Sequence, residues 1–311
     1  MVDSRRIVFA GTPEFARVVL QTLMAGPERV VGVFTQPDRP AGRGRRLQAS
    51  PVKMLAEEHG LSVFQPESCR EPQVIQTLRT LAPDLLIVVA YGQILPEALL
   101  HTPRLGSINV HASLLPAWRG AAPIARAIAA GDRETGISIM QMEAGLDSGP
   151  VLWTRSLAIE AGDTAASLHD RLAELGALAL REALDRLWLG ALRPEPQDPA
   201  RVSYARKLRK EEGRLDWQQD ANLLERLVRA FNPFPVAHSS WRGQPLRIWS
   251  ARIGAARGTP GEVLALHPEG PEVACGAGSL ILTRVQPSGK AALGGGDFLR
   301  GYRLQVGERL G

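Results

Sequence analysis

Short, uninterrupted apolar runs alternate with stretches of helical period through the first 189 residues. Residues 6–10 form one such run, ending at Gly11, and residues 30–35 and 61–64 form two more. Residues 84–90, built on Leu-Leu-Ile-Val-Val, are the most apolar of all. A run without a polar face predicts a central parallel strand covered on both sides. Residues 105–110, 137–142 and 151–159 follow as further strands. Between them, Thr12-Pro13 and Ser50-Pro51 each set a capping hydroxyl before a proline, whose missing N–H is not needed in a first helical turn. Both therefore predict helix starts, the second helix reaching about Gly60. A helix of small residues is expected over 120–130 and a long amphipathic one over 167–189. The alternation predicts a doubly wound, Rossmann-like α/β domain with a largely parallel sheet, whose ligands sit at the carboxyl ends of the strands.

The texture changes after residue 189. Residues 190–199 hold three prolines and few apolar anchors, and with the charged stretch to Lys210 they read as an interdomain linker. Beyond it, one helical pattern over 221–231 precedes five short strands at 237–241, 246–252, 261–266, 272–275 and 279–285. Glycines and prolines separate them, which predicts a small OB-like β-barrel. The expected organisation is a first domain over 1–189, a linker over 190–210 and a basic barrel domain over 211–311.

Composition narrows the class. Hydrophobic residues at 44% and charged residues at 22% are ordinary for a folded chain with two cores. The apolar stretch near the start is too short for a signal-peptide core, and no run is long enough to span a bilayer. The expectation is a cytoplasmic protein with no membrane partner. Cys69 and Cys275 are expected to be reduced, and the absence of C-x-x-C or H-E-x-x-H leaves no motif for a metal. Charge is uneven. Residues 1–189 carry 19 Lys+Arg against 20 Asp+Glu, so the basic excess of the chain lies wholly beyond them. A basic second half is suited to a polyanion, since each phosphate contact releases counterions.

Residues 107–116, Ser-Ile-Asn-Val-His-Ala-Ser-Leu-Leu-Pro, hold the most telling chemistry. Ile108 and Val110 face one side of a strand, so Asn109 and His111 share the other. An amide and an imidazole thus stand together at the end of a parallel strand; taken alone, they read more readily as two satisfied polar groups at a strand terminus. Asp147 lies on a glycine-flanked loop, Gly145-Leu-Asp-Ser-Gly149, where an Asx turn is the plain alternative. Arg39, Arg43, Arg45 and Arg46 gather among glycines in residues 37–46. That loop lacks the Gly-Lys-Ser/Thr of a phosphate-binding loop, and residues 10–15 lack the G-x-G-x-x-G of a dinucleotide site.

Ordered motifs along the chain carry a resemblance. They include residues 9–16 (Phe-Ala-Gly-Thr-Pro-Glu-Phe-Ala), 36–44, 89–92, 109–116, 118–123, Gln141-Met142 and 145–149. They continue through 204–212, Asp216-Trp217, 229–235 and 286–290. Together they resemble the methionyl-tRNA formyltransferases over essentially the whole chain. The resemblance implies 10-formyltetrahydrofolate as formyl donor, initiator methionyl-tRNA as acceptor, no metal and a monomer that makes N-formylmethionyl-tRNA for translation initiation. It implies a folate pocket beside Ser113, Leu114, Leu115 and Pro116, and a catalytic trio of Asn109, His111 and Asp147. It also implies that the arginine loop, through Arg43 with Arg45 and Arg46 beside it, reaches the acceptor end of the tRNA. Lys207 and Lys210 would add backbone contacts. Ala112 departs from the family pattern, which has glycine there.

In such chemistry the amine attacks the formyl carbon and creates an oxyanion, for which Asn109 and a protonated His111 would be donors, worth typically about 10²–10³ in rate each. Asp147 would be the charge partner of His111 and relay protons through a water. The same chemistry on a small amine, such as an amino-sugar nucleotide, needs neither a basic second domain nor an arginine loop. A non-catalytic RNA-binding protein would not need the trio, and a dinucleotide-dependent oxidoreductase would need the missing glycine fingerprint.

Overall fold

The apolar runs become the strands of one seven-stranded sheet. These are β1 (Arg6–Gly11), β2 (Arg29–Phe34), β3 (Val63–Phe64), β4 (Leu85–Val89), β5 (Ser107–His111), β6 (Glu134–Gln141) and β7 (Val151–Ala158), in the order β7-β6-β5-β4-β1-β2-β3. The computed structural model describes residues 5–41 and 46–311. Strands β1 to β5 pair in parallel, and β6 runs antiparallel to β5. All five residues of β4 are buried, and each large aliphatic side chain so placed contributes about 1.5–3 kcal/mol. Strand order reverses at β1, whose neighbours are β2 and β4, so a crevice opens beyond Gly11 and Val89.

Helices α1 (Glu14–Met24), α2 (Pro51–Glu58) and α3 (Pro72–Leu81) connect the strands. Ser50 caps α2, its hydroxyl accepting the Lys53 amide at 3.0 Å, as the serine-proline pair predicts. Thr12 does not cap α1. The helix begins one residue later, with Pro13 at its cap position and no side-chain cap. The Thr12 hydroxyl instead donates to Tyr91 O at 2.9 Å, joining the residues that follow β1 and β4 across the crevice. Tertiary bonding has taken a hydroxyl that local geometry offers to the helix.

Apart from single turns such as Glu97–Leu100, the helices further along the chain are α4 (Pro123–Ala130), α5 (Ala165–Trp188), α6 (Ala221–Ala230) and α7 (Gly295–Tyr302). The chain divides into two compact units. The first holds residues up to Gly120, Glu134–Leu157 and His169–Tyr204. The second holds Ala121–Arg133, Ala158–Leu168 and Ala205–Gly311. The small-residue helix α4 therefore groups with the second unit, where the Arg226 guanidinium donates to Ala129 O at 3.1 Å and Arg126 pairs with Glu212 at 2.6 Å.

Within the second unit β8 (Ala237–Trp241), β9 (Gln244–Gly254), β10 (Val263–His267), β11 (Gly270–Ala274) and β12 (Ser279–Pro287) pair antiparallel in the order β8-β9-β12-β11-β10. Residues 308–311 bridge the two outer strands. Val263 N donates to Glu308 O at 2.8 Å and Leu310 N to Gly261 O at 2.8 Å, while Gly311 N donates to Ser240 O at 3.0 Å. The sheet so closes through the tail around Ile248, Val263, Val273, Leu282 and Phe298.

Candidate active site

Parallel strand β5 ends at His111, beside the end of β4, and the chain then turns through residues 112–118. Asn109 pairs in register with Val88 of β4 and Met140 of β6, and His111 with Ser138 of β6. Alternation along β5 puts both side chains on one face. His111 is 6% exposed, while Asn109 is half-buried. Among the described residues the Asn109 carboxamide has no hydrogen-bond partner, so both its N–H groups are open to a ligand.

The imidazole is held from both sides. His111 Nε2 lies 3.0 Å from Trp118 O, and Nδ1 lies 3.7 Å from Asp147 Oδ2. With the Trp118 carbonyl as acceptor, Nε2 carries a proton. The same Asp147 oxygen accepts the Gly120 amide at 2.8 Å, which fixes the carboxylate over the turn that follows Trp118. Asp147 and Trp118 both hold left-handed backbone, at φ +46° and +63°. Non-glycine residues are uncommon there, and such strain clusters where geometry serves a site. Ala112 is not among the described residues with positive φ, so alanine meets no conformational obstacle at the place where the family pattern has glycine. Gly149 is demanded by close approach: a Cβ there would fall 2.0 Å from Gln141 O.

The turn after His111 is pinned to the sheet. Ser138 Oγ donates to Ser113 O at 2.8 Å and accepts the Leu115 amide at 2.9 Å, while Ser113 Oγ donates to Ala117 O at 2.6 Å. Ser113 is fully buried, and Leu114, Leu115 and Pro116 are half-buried. A cavity of about 310 Å³ also opens beyond β2 and β4, lined by Gln36, Arg39, Arg70, Gly92 and Gln93 among others. In the core, burial pushes the Tyr91 phenol far above its usual range; the hydroxyl lies 3.4 Å from Cys69 Sγ.

Thus the structure brings Asn109, His111 and Asp147 together with residues 113–116. Lys207 and Lys210 belong to the second unit, where both are exposed. Arg43 and Arg45 lie outside the described residues; Arg46 begins a short strand, Arg46–Gln48, paired antiparallel with Arg39–Ala41. Four contributors escaped the sequence reading: Ser138, Gln197, Ser203 and the Trp118 carbonyl. Ser138 carried a signal, a hydroxyl set between Ile137 and Ile139 in the apolar stretch of its strand. Gln197 and Ser203 carried none, because they lie in the stretch expected to be a linker. There the Ser203 hydroxyl accepts the Trp118 amide at 2.9 Å and Gln197 Nε2 donates to Asp147 O at 2.8 Å. Among the described residues no group of three or more His, Cys, Asp and Glu could hold a metal ion, and no helix is long and apolar enough to cross a membrane.

The fold that sets an Asn and a His at the end of a parallel strand, faced by a loop Asp, is that of a one-carbon group transferase of the formyl transferase class, as the family comparison shows. The Formyl transferase family profile matches residues 5–184, and that of the Formyl transferase C-terminal domain matches residues 207–303. The chain is 66% identical to the methionyl-tRNA formyltransferase of Acidithiobacillus ferrooxidans, with 100% of both chains covered. It is 54% identical to that of Stutzerimonas stutzeri, over 100% of this chain and 99% of the relative. It belongs to the methionyl-tRNA formyltransferase family. The fold recurs in solved structures of low identity. One is an N-formyltransferase from Helicobacter canadensis in complex with folinic acid and dTDP-3-aminofucose, with TM-score 0.67, 16% identity, 91% of this chain and 99% of that one covered. Another is HypX from Aquifex aeolicus in complex with tetrahydrofolic acid, with TM-score 0.65 and 20% identity, covering 96% of this chain and 48% of that one.

Proposed function

We propose that this chain transfers the formyl group of 10-formyltetrahydrofolate to the free amino group of initiator methionyl-tRNA, as a monomer in the cytoplasm. The full-length relatives bear the name of this activity, and the observation that carries the site assignment is the pairing of an unengaged Asn109 carboxamide with a doubly held His111 on one strand end. Asn109 acts as a donor toward the oxygen of the formyl carbonyl, whose negative charge grows as the amine attacks. A protonated His111 joins it through Nδ1, which at 3.7 Å from Asp147 is not committed to a hydrogen bond, while Nε2 stays on the Trp118 carbonyl. Two fixed donors cost no reorganisation at that moment, and each is worth typically about 10²–10³ in rate. Asp147 fixes the imidazole and relays a proton by way of water, taking it from the attacking amine and handing it on to the folate nitrogen that leaves. Holding amine and carbonyl in contact contributes the other large part. Residues 113–116 form one wall of the folate pocket. Arg43, Arg45 and Arg46, with Lys207 and Lys210, hold phosphates of the tRNA and place its acceptor end.

The amino-sugar alternative is not favoured, because relatives that match the whole length of both chains are named for methionyl-tRNA. The test is transfer of labelled formyl from 10-formyltetrahydrofolate to methionyl-tRNA, with free methionine and uncharged tRNA as controls. Label on the charged initiator tRNA alone is expected. Formylation of a small amine without transfer to any tRNA would overturn the acceptor while keeping the catalytic groups.

A further inference from the structure

We propose that Gln197 is a positioning residue for Asp147, holding the carboxylate in register with His111; the role rests on the catalytic trio proposed above. Residues 193–201 form a proline-rich surface run in which Gln197 alone is not exposed. Its carboxamide is used at both ends. Nε2 donates to Asp147 O at 2.8 Å and to Gly149 O at 2.7 Å, while Oε1 accepts from Arg119 Nε at 3.0 Å and Nη2 at 2.8 Å. The guanidinium, a donor only, forces the oxygen toward itself and the amide nitrogen toward the two carbonyls.

These bonds complete a closed circuit. The Arg119 side chain holds Gln197, and Gln197 holds the backbone of Asp147. The Asp147 carboxylate accepts the amide of Gly120, the residue after Arg119, at 2.8 Å. The circuit fixes the catalytic loop relative to the turn that supplies the Trp118 carbonyl, the other contact of His111. Asp147 holds a left-handed backbone, which is uncommon for a non-glycine residue though aspartate tolerates it better than most, and the clamp helps to keep it. The clamp is anchored on either side: Glu195 exchanges backbone hydrogen bonds with Val151 at 2.8 and 2.9 Å, and Ser203 O accepts the Arg119 amide at 2.9 Å. Gln197 does not touch the reacting atoms, and its effect passes through Asp147.

Two variants separate positioning from mere bracing. Gln197→Glu has the same shape and keeps an acceptor for Arg119 but loses both donors, whereas Gln197→Ala loses both ends. Single-turnover formylation of methionyl-tRNA by the full chain would be compared for these, for Asp147→Asn and for the double variant Gln197→Ala/Asp147→Asn. Both Gln197 variants are expected to be slower by about ten- to a hundredfold, the loss that a displacement of order 1 Å produces at a reacting group. The KM for either substrate should stay within about twofold and the melting temperature within a few degrees, while the double variant is no slower than Asp147→Asn. A raised KM at unchanged rate, or losses that multiply in full in the double variant, would overturn the inference while leaving the trio intact. An unchanged rate in Asp147→Asn would remove Asp147 from the reaction, and this role of Gln197 with it.

Discussion

Asp147 Oδ2 lies 3.7 Å from His111 Nδ1 and 2.8 Å from the Gly120 amide, so one carboxylate oxygen meets both the imidazole and the turn beyond it. The shorter contact fixes the carboxylate, and the longer one leaves space for a change of geometry when substrate arrives, as hydrogen bonds at reacting groups often do. Removing the imidazole takes away a donor and a proton carrier together. His111→Ala is expected to lower the single-turnover rate with saturating substrates by about 10²–10⁴. Asn109→Ala, which removes one donor only, should cost about 10²–10³. A His111→Ala rate within a few-fold of normal would disprove the assignment.

A buried ion pair far from this site gives a contrasting expectation. The Glu28 side chain is fully buried, receives both terminal nitrogens of Arg181 and accepts the Trp188 indole N–H at 2.9 Å. Burial alone would raise the Glu28 carboxyl, but the bonds and charge of Arg181, helped by Trp188, bring it below its usual range. Removing Arg181 leaves the buried carboxylate with only the Trp188 indole and Arg5, whose Nη1 lies 3.9 Å away, so Arg181→Ala should destabilise by about 3 kcal/mol. The paired change Glu28→Leu/Arg181→Met should recover most of that loss. Urea denaturation at neutral pH checks both, and formylation by the folded fraction should be unchanged.

The second unit holds a carboxylate whose protonation couples to stability. Burial pushes Glu272 upward, but hydrogen bonds from Ser279 at 2.6 Å, His267 at 2.7 Å and the Ala256 amide at 3.0 Å together bring it down to about 2. The folded chain thus holds this proton less tightly than the unfolded chain does. Its stabilisation is complete above the ordinary value of 4.5 and is lost as pH falls toward about 2. Glu272→Gln should therefore lose about 2–3 kcal/mol relative to the natural chain at pH 7 and almost nothing near pH 2. A difference that stays constant between those pH values would show that proton binding at Glu272 is not linked to folding.

What could be read from the sequence divides by the range of the interaction responsible. Leu85 to Val89 announce a central strand because burial on both faces leaves no position for a polar residue. Asn109 and His111 announce a site because alternation alone puts them on one face. Ser50 caps its helix as written, since its partner, the Lys53 amide, is three residues away. Thr12 fails by the same rule, because its partner Tyr91 O is 79 positions distant and no local pattern encodes it. Gln197 is the extreme case. Its neighbours are the proline, aspartate and glutamate of a surface run, and its two carbonyl partners become visible only when the loop of Asp147 is folded against it. Helix α4 likewise reads as part of the first domain, yet it groups with the second because Arg226 and Glu212, far along the chain, bond to it.

Charge in and near the second unit provides the remaining expectation, on binding rather than chemistry. Lys207 and Lys210 are exposed, and neither has an ion-pair partner among the described residues. Lysines free of carboxylates can neutralise phosphates without first giving up a partner. Each lysine–phosphate pair removed should lower the slope of log affinity against log salt by about 1. Lys207→Glu and Lys210→Glu should thus weaken tRNA binding at low salt and flatten its salt dependence, with folate binding unaltered. Arg43→Glu should act differently if that arginine places the acceptor end: its loss should appear in the single-turnover rate at saturating tRNA as well as in affinity, because placing the amine is itself part of the barrier. Equal effects of Arg43→Glu on folate binding and on acceptor use would rule out a loop directed at the tRNA. A salt slope unchanged in the lysine variants would likewise place the phosphate contacts elsewhere on the basic second unit.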